Sequence, residues 1–483
     1  MLSIRLSYQS PEQWAERTFA QADLGDHRRA QRAATIAGAM AQQPGASMPG
    51  LFADPYDIKA AYNLFDRPEA TPDRLQAPHR ADILAQMQTP DVIHLLLQDT
   101  TELSWSGNKK IDGLGPIGPG SQGLQGFMLH SALAVRWETP RNPTSKRPPV
   151  EMIGVADQLY EIRKPRPANE PGDNSKVRQE RVRESHYWQT QIERIGPAPA
   201  GARWVDVCDR GADIYEFLLA CREQNHGFIV RAAQDRALED EQGRKAVQTL
   251  FTVARELPEL GRFELYLRER NGQPARTAQL AVAATRVRLR APQRPGNPSG
   301  KLPGLTCTVV RVFEVDVPAE GKKPLEWILL TDAEVADFAG ALEVGLKHSA
   351  RWLIEEFHKG LKSGLGAEKL QLERAPRLFA AIAIMSLAAL RLIDLRDAVR
   401  ENPDTPAEAA GVLSKVELLV LRKKLKRPIR TIGEIALAIG RLGGHMNRKG
   451  DGLPGWQTLW RGMKKLRLLT QGFLLAQEVA EFG

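Results

Sequence analysis

Two apolar runs in this 483-residue chain each lead into an aspartate: Ile93-His94-Leu95-Leu96-Leu97-Gln98-Asp99 and Trp204-Val205-Asp206-Val207-Cys208-Asp209. Short apolar runs closed by an acid read as buried strands ending in a polar group. They commit the middle of the chain to an α/β core. Downstream, His348, Arg351, Glu355 and Lys362 follow one another at steps of three, four and seven residues. On one continuous helix, turning about 100° per residue, all four project the same way. One acid among several bases is a poor solvated face, but it suits a site that takes metal and phosphate together. Two strand-end aspartates with a helical glutamate are the carboxylate set expected of a two-metal phosphodiester enzyme.

The length exceeds what one core accommodates and implies about three domains. A net charge of +9 fits a polyanion partner. Three cysteines (Cys208, Cys221, Cys307), none in a CxxC pair, give no disulfide framework and no structural zinc, which implies a reducing cytoplasm. The first residues, Met-Leu-Ser-Ile-Arg-Leu-Ser-Tyr, lack the apolar region of a secretory signal. The longest apolar stretch, Leu378 to Leu390 between Arg377 and Arg391, is too short to span a bilayer and reads as a buried helix. No membrane contact is expected.

Residues 1–88 read as helical, with start signals at Ser10-Pro11-Glu12-Gln13 (a capping box), Asp26, Asp54-Pro55 and Thr71-Pro72. The second helix opens Asp26-His27-Arg28-Arg29-Ala30-Gln31-Arg32. Its arginines form a basic stripe of the kind that grips a DNA backbone or simply faces solvent. From residue 91 the pattern is α/β. Phe127–Val135 and Val150–Val155 read as a hairpin around an exposed basic loop at 139–149, and 164–183 reads as a charged segment that a partner orders. Short β runs between residues 224 and 331 suggest an antiparallel sheet inserted between Asp209 and Glu355. After residue 366 the chain is helical again. Ser414 opens a helix that runs into the basic tract Arg422–Arg427, and Trp456, Leu459, Trp460, Met463 and Leu466 form an apolar stripe. That stripe either docks on its own domain or pairs with a second subunit.

Several of these segments resemble the bacterial DDE transposases of the insertion-sequence-four family, over almost the whole chain. They are Leu24-Gly25-Asp26 with Arg28-Arg29; Gln98-Asp99-Thr100-Thr101; Val207-Cys208-Asp209-Arg210 with Ala212-Asp213-Ile214; Arg351-Trp352 with Ile354–Lys359; and Ala438–Gly444 with Trp456…Trp460. The resemblance implies an RNase H-like catalytic domain at 73–385 carrying a β insertion at about 235–331. Flanking it would be a helical DNA-binding domain at 1–72 and a helical dimerisation domain at 386–483. It further implies Asp99, Asp209 and Glu355 as catalytic residues holding two Mg²⁺ ions, with Mn²⁺ as substitute. The partners implied are double-stranded DNA (inverted-repeat ends and target) and a second copy of the chain. Cut-and-paste transposition in a bacterial cytoplasm, at the nucleoid, is the activity implied, with hairpin formation on the transposon end. A metal-dependent nuclease without strand transfer, or a catalytically silent DNA-binding inhibitor, are the alternatives. One position departs from the family: its signature tyrosine is His348 here.

The residues have rivals. Asp206 and Asp213 stand close to Asp209, but Asp206 falls inside an apolar strand and Asp213 fits a helix cap. Glu356 lies about 140° around a helix from Arg351, against about 40° for Glu355. Arg351, Lys359 and Lys362 are expected on phosphates, or in helix-surface ion pairs, with Arg210 and Arg231 as further contacts after strand ends. His130 reads as a packed core histidine. By pattern Trp327 is a core aromatic; the resemblance assigns it to stack where a base is flipped out. His348 would contact DNA backbone and gain charge below a pKa near 6.5.

Overall fold

The computed structural model describes residues 10–106, 110–118, 124–138, 150–163, 186–267, 276–292, 302–316, 324–401, 403–409, 412–448 and 451–481. Five helices come first: α1 (Pro11–Phe19), α2 (His27–Gln42), α3 (Met48–Leu51), α4 (Pro55–Phe65) and α5 (Pro72–Gln86). Strands β1 (Ile93–Trp105), β2 (Gly115–Pro116), β3 (Gln125–Trp137) and β4 (Val150–Glu161) follow, then α6 (Tyr187–Ile195), β5 (Arg203–Cys208), α7 (Tyr215–Glu223) and β6 (Gly227–Arg231). Next are β7 (Ala237–Glu239), β8 (Lys245–Thr249), α8 (Leu250–Glu256), β9 (Gly261–Leu267), β10 (Arg276–Leu289), β11 (Leu305–Glu314) and β12 (Glu326–Thr331). The chain closes with α9 (Phe338–Ser349), α10 (Trp352–Lys359), α11 (Ala375–Glu401), α12 (Lys415–Leu425), α13 (Ile432–Leu442) and α14 (Trp456–Glu481). The basic loop at 139–149 and the charged segment at 164–183 lie outside the described residues.

The chain divides into two compact units, one of residues 1–81, 102–127 and 356–483, the other of 82–101 and 128–355. Both helical ends therefore share a unit. There the capping residues start helices where the sequence places them. Ser10 and Gln13 form a reciprocal box, and Asp26, Asp54 and Thr71 accept from the backbone N–H of Arg28, Tyr56 and Arg74. Helix α11 is the buried apolar helix expected at Leu378–Leu390. Among the described residues no helix is long and apolar enough to cross a membrane.

Helices α12–α14 enclose a cluster of Leu418, Leu421, Ile432, Ile435, Ile439, Leu459, Met463 and Leu466. A side chain on Gly443 would strike the carbonyl of Thr458, and one on Gly462 that of Ile439, so these glycines let α13 and α14 approach closely. The Trp456–Leu466 stripe is thus occupied within its own domain: Trp456, Leu459, Met463 and Leu466 are buried. Of the two roles open to the stripe, docking on its own domain is the one this packing fills. What α14 exposes lies beyond, at Leu468, Phe473, Leu474, Leu475 and Val479.

The second unit is built on a mixed sheet in the order β3-β1-β5-β6-β12-β11-β10. Strands β1, β5 and β6 run parallel, with Leu97 beside Val207 and Val207 beside Ile229. Strand β4 pairs antiparallel with β3, the expected hairpin. The inserted strands β9–β12 are antiparallel, as expected, but they do not form a separate sheet. Leu329–Thr331 of β12 pair with Ile229–Arg231 of β6, so the insertion continues the core sheet and covers an edge that would otherwise stay unpaired. Against one face pack Ile83, Met87 and Ile195, in a cluster with Leu96, Ala132, Ala134 and Trp204 of the strands.

Candidate active site

Asp99, on β1, and Asp209, just after β5, lie at nearly the same level of two neighbouring parallel strands, since Gln98 pairs with Cys208. Strand β1 does not stop at Asp99, however, but continues to Trp105, so Asp99 is a mid-strand residue. Asp209 does follow its strand directly. It caps a one-turn 3₁₀ segment, Arg210–Ala212, by accepting from the N–H of Gly211 at 2.7 Å.

The helix over 348–362 is broken. Helix α9 ends at Ser349, α10 begins at Trp352, and a π-turn occupies Gly360–Gly364. The four residues therefore do not share one face. Arg351, at the junction, keeps its i,i+4 ion pair with Glu355 and lies 3.5 Å from Asp99. Its guanidinium bridges the two carboxylates, so the helix-surface ion pair with Glu355 is present. Asp99 is 19% exposed, and burial pushes its carboxyl up to about 6. The neighbouring Asp209 and Glu355 carboxylates push the same way, opposed by Arg351 and by an N–H bond from Thr100. Asp209 and Glu355 thus sit close enough to repel Asp99, and the Arg351 guanidinium stands between Asp99 and Glu355. Among the described residues no three acidic, histidine or cysteine side chains converge as a ready-made metal cage.

The rivals have other duties. Buried Asp206 is bonded to His226 at 2.7 Å and to Gln98 at 2.6 Å. Asp213 is no helix cap: it accepts from the N–H groups of Ala233 and Gln234 and pairs with Arg236, fixing the loop after β6. Glu356 pairs with Arg396. Asp209 and Glu355 keep only local ties, Asp209 to the Gly211 N–H and Glu355 to Arg351 four residues earlier.

His348 is corrected. It is 5% exposed, packs edge-on against Trp327 with ring centroids 5.1 Å apart, and its Nδ1 has no hydrogen-bond partner. Burial, with Arg351 and Arg231 nearby, pushes it down to about 3, so it is neutral at any physiological pH and does not present a charged contact to DNA. Trp327 is half-buried. Arg231 donates to the carbonyl of Glu326 at 3.0 Å, and Arg210 is exposed. In the other unit Lys359 is exposed, while the Lys362 ammonium bonds the Glu102 carbonyl at 2.7 Å and faces Glu368 at 3.4 Å.

On α2 the three arginines separate. Arg28 is 81% exposed and pairs only with its neighbour Asp26. Arg29 is tied to Glu69 and the Leu24 carbonyl, and Arg32 to Asp57. Arg29 and Arg32 thus help hold the helical bundle, leaving Arg28 the accessible cation of the stripe.

Sequence patterns miss a row of polar side chains beside the two aspartates: Thr100, Gln98, His130, Asp206 and His226 form one chain of hydrogen bonds. The period-two alternation Gln98, Thr100 around Asp99 was its only trace in sequence; nothing local joins these residues to His226.

Residues 11–70 match the family model described as transposase DNA-binding. The match spans α1–α4, including Arg28, Arg29 and Arg32. It supports a DNA-binding transposase, and with it a DNA partner.

Proposed function

We propose that this chain is a cut-and-paste DDE transposase of the insertion-sequence-four family, resembling in particular the transposase of transposon Tn-five, with an RNase H-like catalytic core. What supports the reading is the Arg351 guanidinium between the Asp99 and Glu355 carboxylates, with Asp209 near enough to act on Asp99, in a chain whose N-terminal helices match a transposase DNA-binding domain. The residues suit hard divalent ions: all three donors are carboxylates, and the cation already among them is the guanidinium of Arg351. Bound there, two Mg²⁺ ions (or Mn²⁺) would supply the positive charge that activates the attacking oxygen and stabilises the departing one. Asp99, Asp209 and Glu355 would hold them. Arg351, released from the carboxylates, would take a DNA phosphate as a two-pronged donor, with Lys359, Lys362, Arg210 and Arg231 adding charge along the backbone. Trp327 would stack on a displaced base. Arg28, supported by Arg29 and Arg32, would grip the inverted repeat. The exposed apolar face at 468–479 of α14, rather than the buried stripe before it, would pair two DNA-bound subunits.

The test is cleavage and strand transfer on DNA carrying the element's own terminal repeats, with Mg²⁺. Asp99→Ala, Asp209→Ala and Glu355→Ala are each expected to abolish both steps and to leave end binding within about twofold, because the basic residues that bind DNA lie elsewhere. Cleavage in EDTA, or full cleavage by any of the three variants, overturns the assignment. Cutting without joined product would mark a nuclease instead.

A further inference from the structure

The polar chain beneath the aspartates has a defined direction. His226 faces the Asp206 carboxylate with Nδ1 and the Gly196 carbonyl with Nε2 at 3.0 Å, so both ring nitrogens donate. Burial opposes that charge, but Asp206 and the carbonyl raise the pKa against it. Asp206 in turn accepts from the Gln98 amide, whose oxygen must then accept from His130 Nε2 at 3.1 Å. That leaves His130 Nδ1 as an acceptor for the Thr100 hydroxyl at 2.7 Å. Gln98, His130 and Asp206 are fully buried and His226 nearly so. The row joins β3, β1, β5 and the residue just before β6, around both aspartates.

His130 reaches Asp99 through one intermediary and Asp209 through two. On one side it fixes Thr100, whose N–H donates to the Asp99 carboxylate. On the other its ring packs edge-on against Trp188 at 4.8 Å. Trp188 abuts Gly211, where a side chain would come within 3.0 Å of both Trp188 and the Asp209 carboxylate. Gly211 is the residue whose N–H holds Asp209. Four buried polar side chains are costly in a sheet unless every one is satisfied, and apolar residues of similar shape would hold the strands equally well.

We infer that His130, held by the Thr100–Gln98–Asp206–His226 hydrogen-bond chain, is a positioning residue that sets the Asp99 and Asp209 carboxylates for divalent metal. The inference rests on the metal-site reading above. Residues that orient metal-binding carboxylates typically change affinity 10- to 100-fold when lost.

The experiment is isothermal titration of the full-length, DNA-free protein with Mn²⁺, alongside melting temperature and end binding. Thr100→Val removes only the hydroxyl, His130→Phe keeps the ring on Trp188, and Thr100→Ser keeps the hydrogen bond. Both disrupting variants are expected to bind Mn²⁺ at least tenfold more weakly with end binding unchanged, and Thr100→Ser to match wild type. A purely structural row would lower the melting temperature and leave Mn²⁺ affinity as it was; that result in Thr100→Val overturns the proposal. Asp99→Asn is the control. If wild type shows no Mn²⁺ binding that this control removes, the metal-site reading falls and the proposal with it. If it does, a failure in Thr100→Val condemns the positioning role alone.

Discussion

Asp99 is held in an environment that disfavours its charge, and replacing it with asparagine should make the metal-free protein more stable. The carboxyl rises from 3.8 to about 6, roughly two units, and each unit is worth about 1.4 kcal/mol. The ionised group therefore costs about 3 kcal/mol at pH 7. Solvent reaches the 19%-exposed carboxyl, and its screening trims the expected gain to about 2 kcal/mol. The sign follows from linkage. A carboxyl with a raised folded-state pKa favours folding below its unfolded value, and that contribution is lost as pH rises through the folded value. Wild-type stability should thus fall between about pH 4 and pH 6 relative to Asp99→Asn, and the gap should then level off. The site lies in a unit of about 250 residues, for which 1 kcal/mol corresponds to about 2 °C in melting temperature. In EDTA at pH 7, Asp99→Asn should melt about 4 °C above wild type by scanning fluorimetry, with the difference vanishing near pH 4. Adding Mg²⁺ should raise the wild type and leave the variant nearly unmoved. Equal melting temperatures at pH 7, or a gap independent of pH, would refute the argument that Asp99 is under electrostatic strain.

Three further outcomes are expected. Arg28→Ala should weaken end binding and reduce its salt slope by about one unit, with no loss of stability, whereas Arg32→Ala should also lower the melting temperature because it leaves Asp57 unpaired; the two variants are compared by filter binding over a salt series. Between pH 6 and pH 8, wild type and His348→Phe should show the same pH profile of end binding, since the buried imidazole stays neutral throughout; a wild-type gain at pH 6 that the variant lacks would contradict its burial. Leu475→Glu and Val479→Glu on the exposed face of α14 should abolish paired-end complexes on native gels while sparing single-end binding, whereas Met463→Glu, in the core, should unfold the C-terminal helices.

What the sequence by itself determined is local. Helix starts at Ser10, Asp26, Asp54 and Thr71 are written in residues that cap their own neighbours, so they can be read without a fold. Strands β5, β6 and β9–β12 appear in their own apolar patterns, and the motifs at Asp99, Asp209 and Arg351–Glu355 stand out by spacing. Tertiary structure decided everything that depends on what lies opposite. The apolar stripe at 456–466 is equally suited to a partner subunit or to α12 and α13, and only packing shows it buried by the latter. His348 looks like a polar surface residue until the helix breaks at Arg351 and turns it beneath Trp327. Asp206, Asp209 and Asp213 are chemically alike, and their different tasks come from His226, Gly211 and Arg236, residues two to 23 positions away. The chain from Thr100 to His226 spans four elements, and no local spacing encodes it. Side-chain periodicity specifies a face, but the charge, burial and partner of a residue are properties of the field it is folded into.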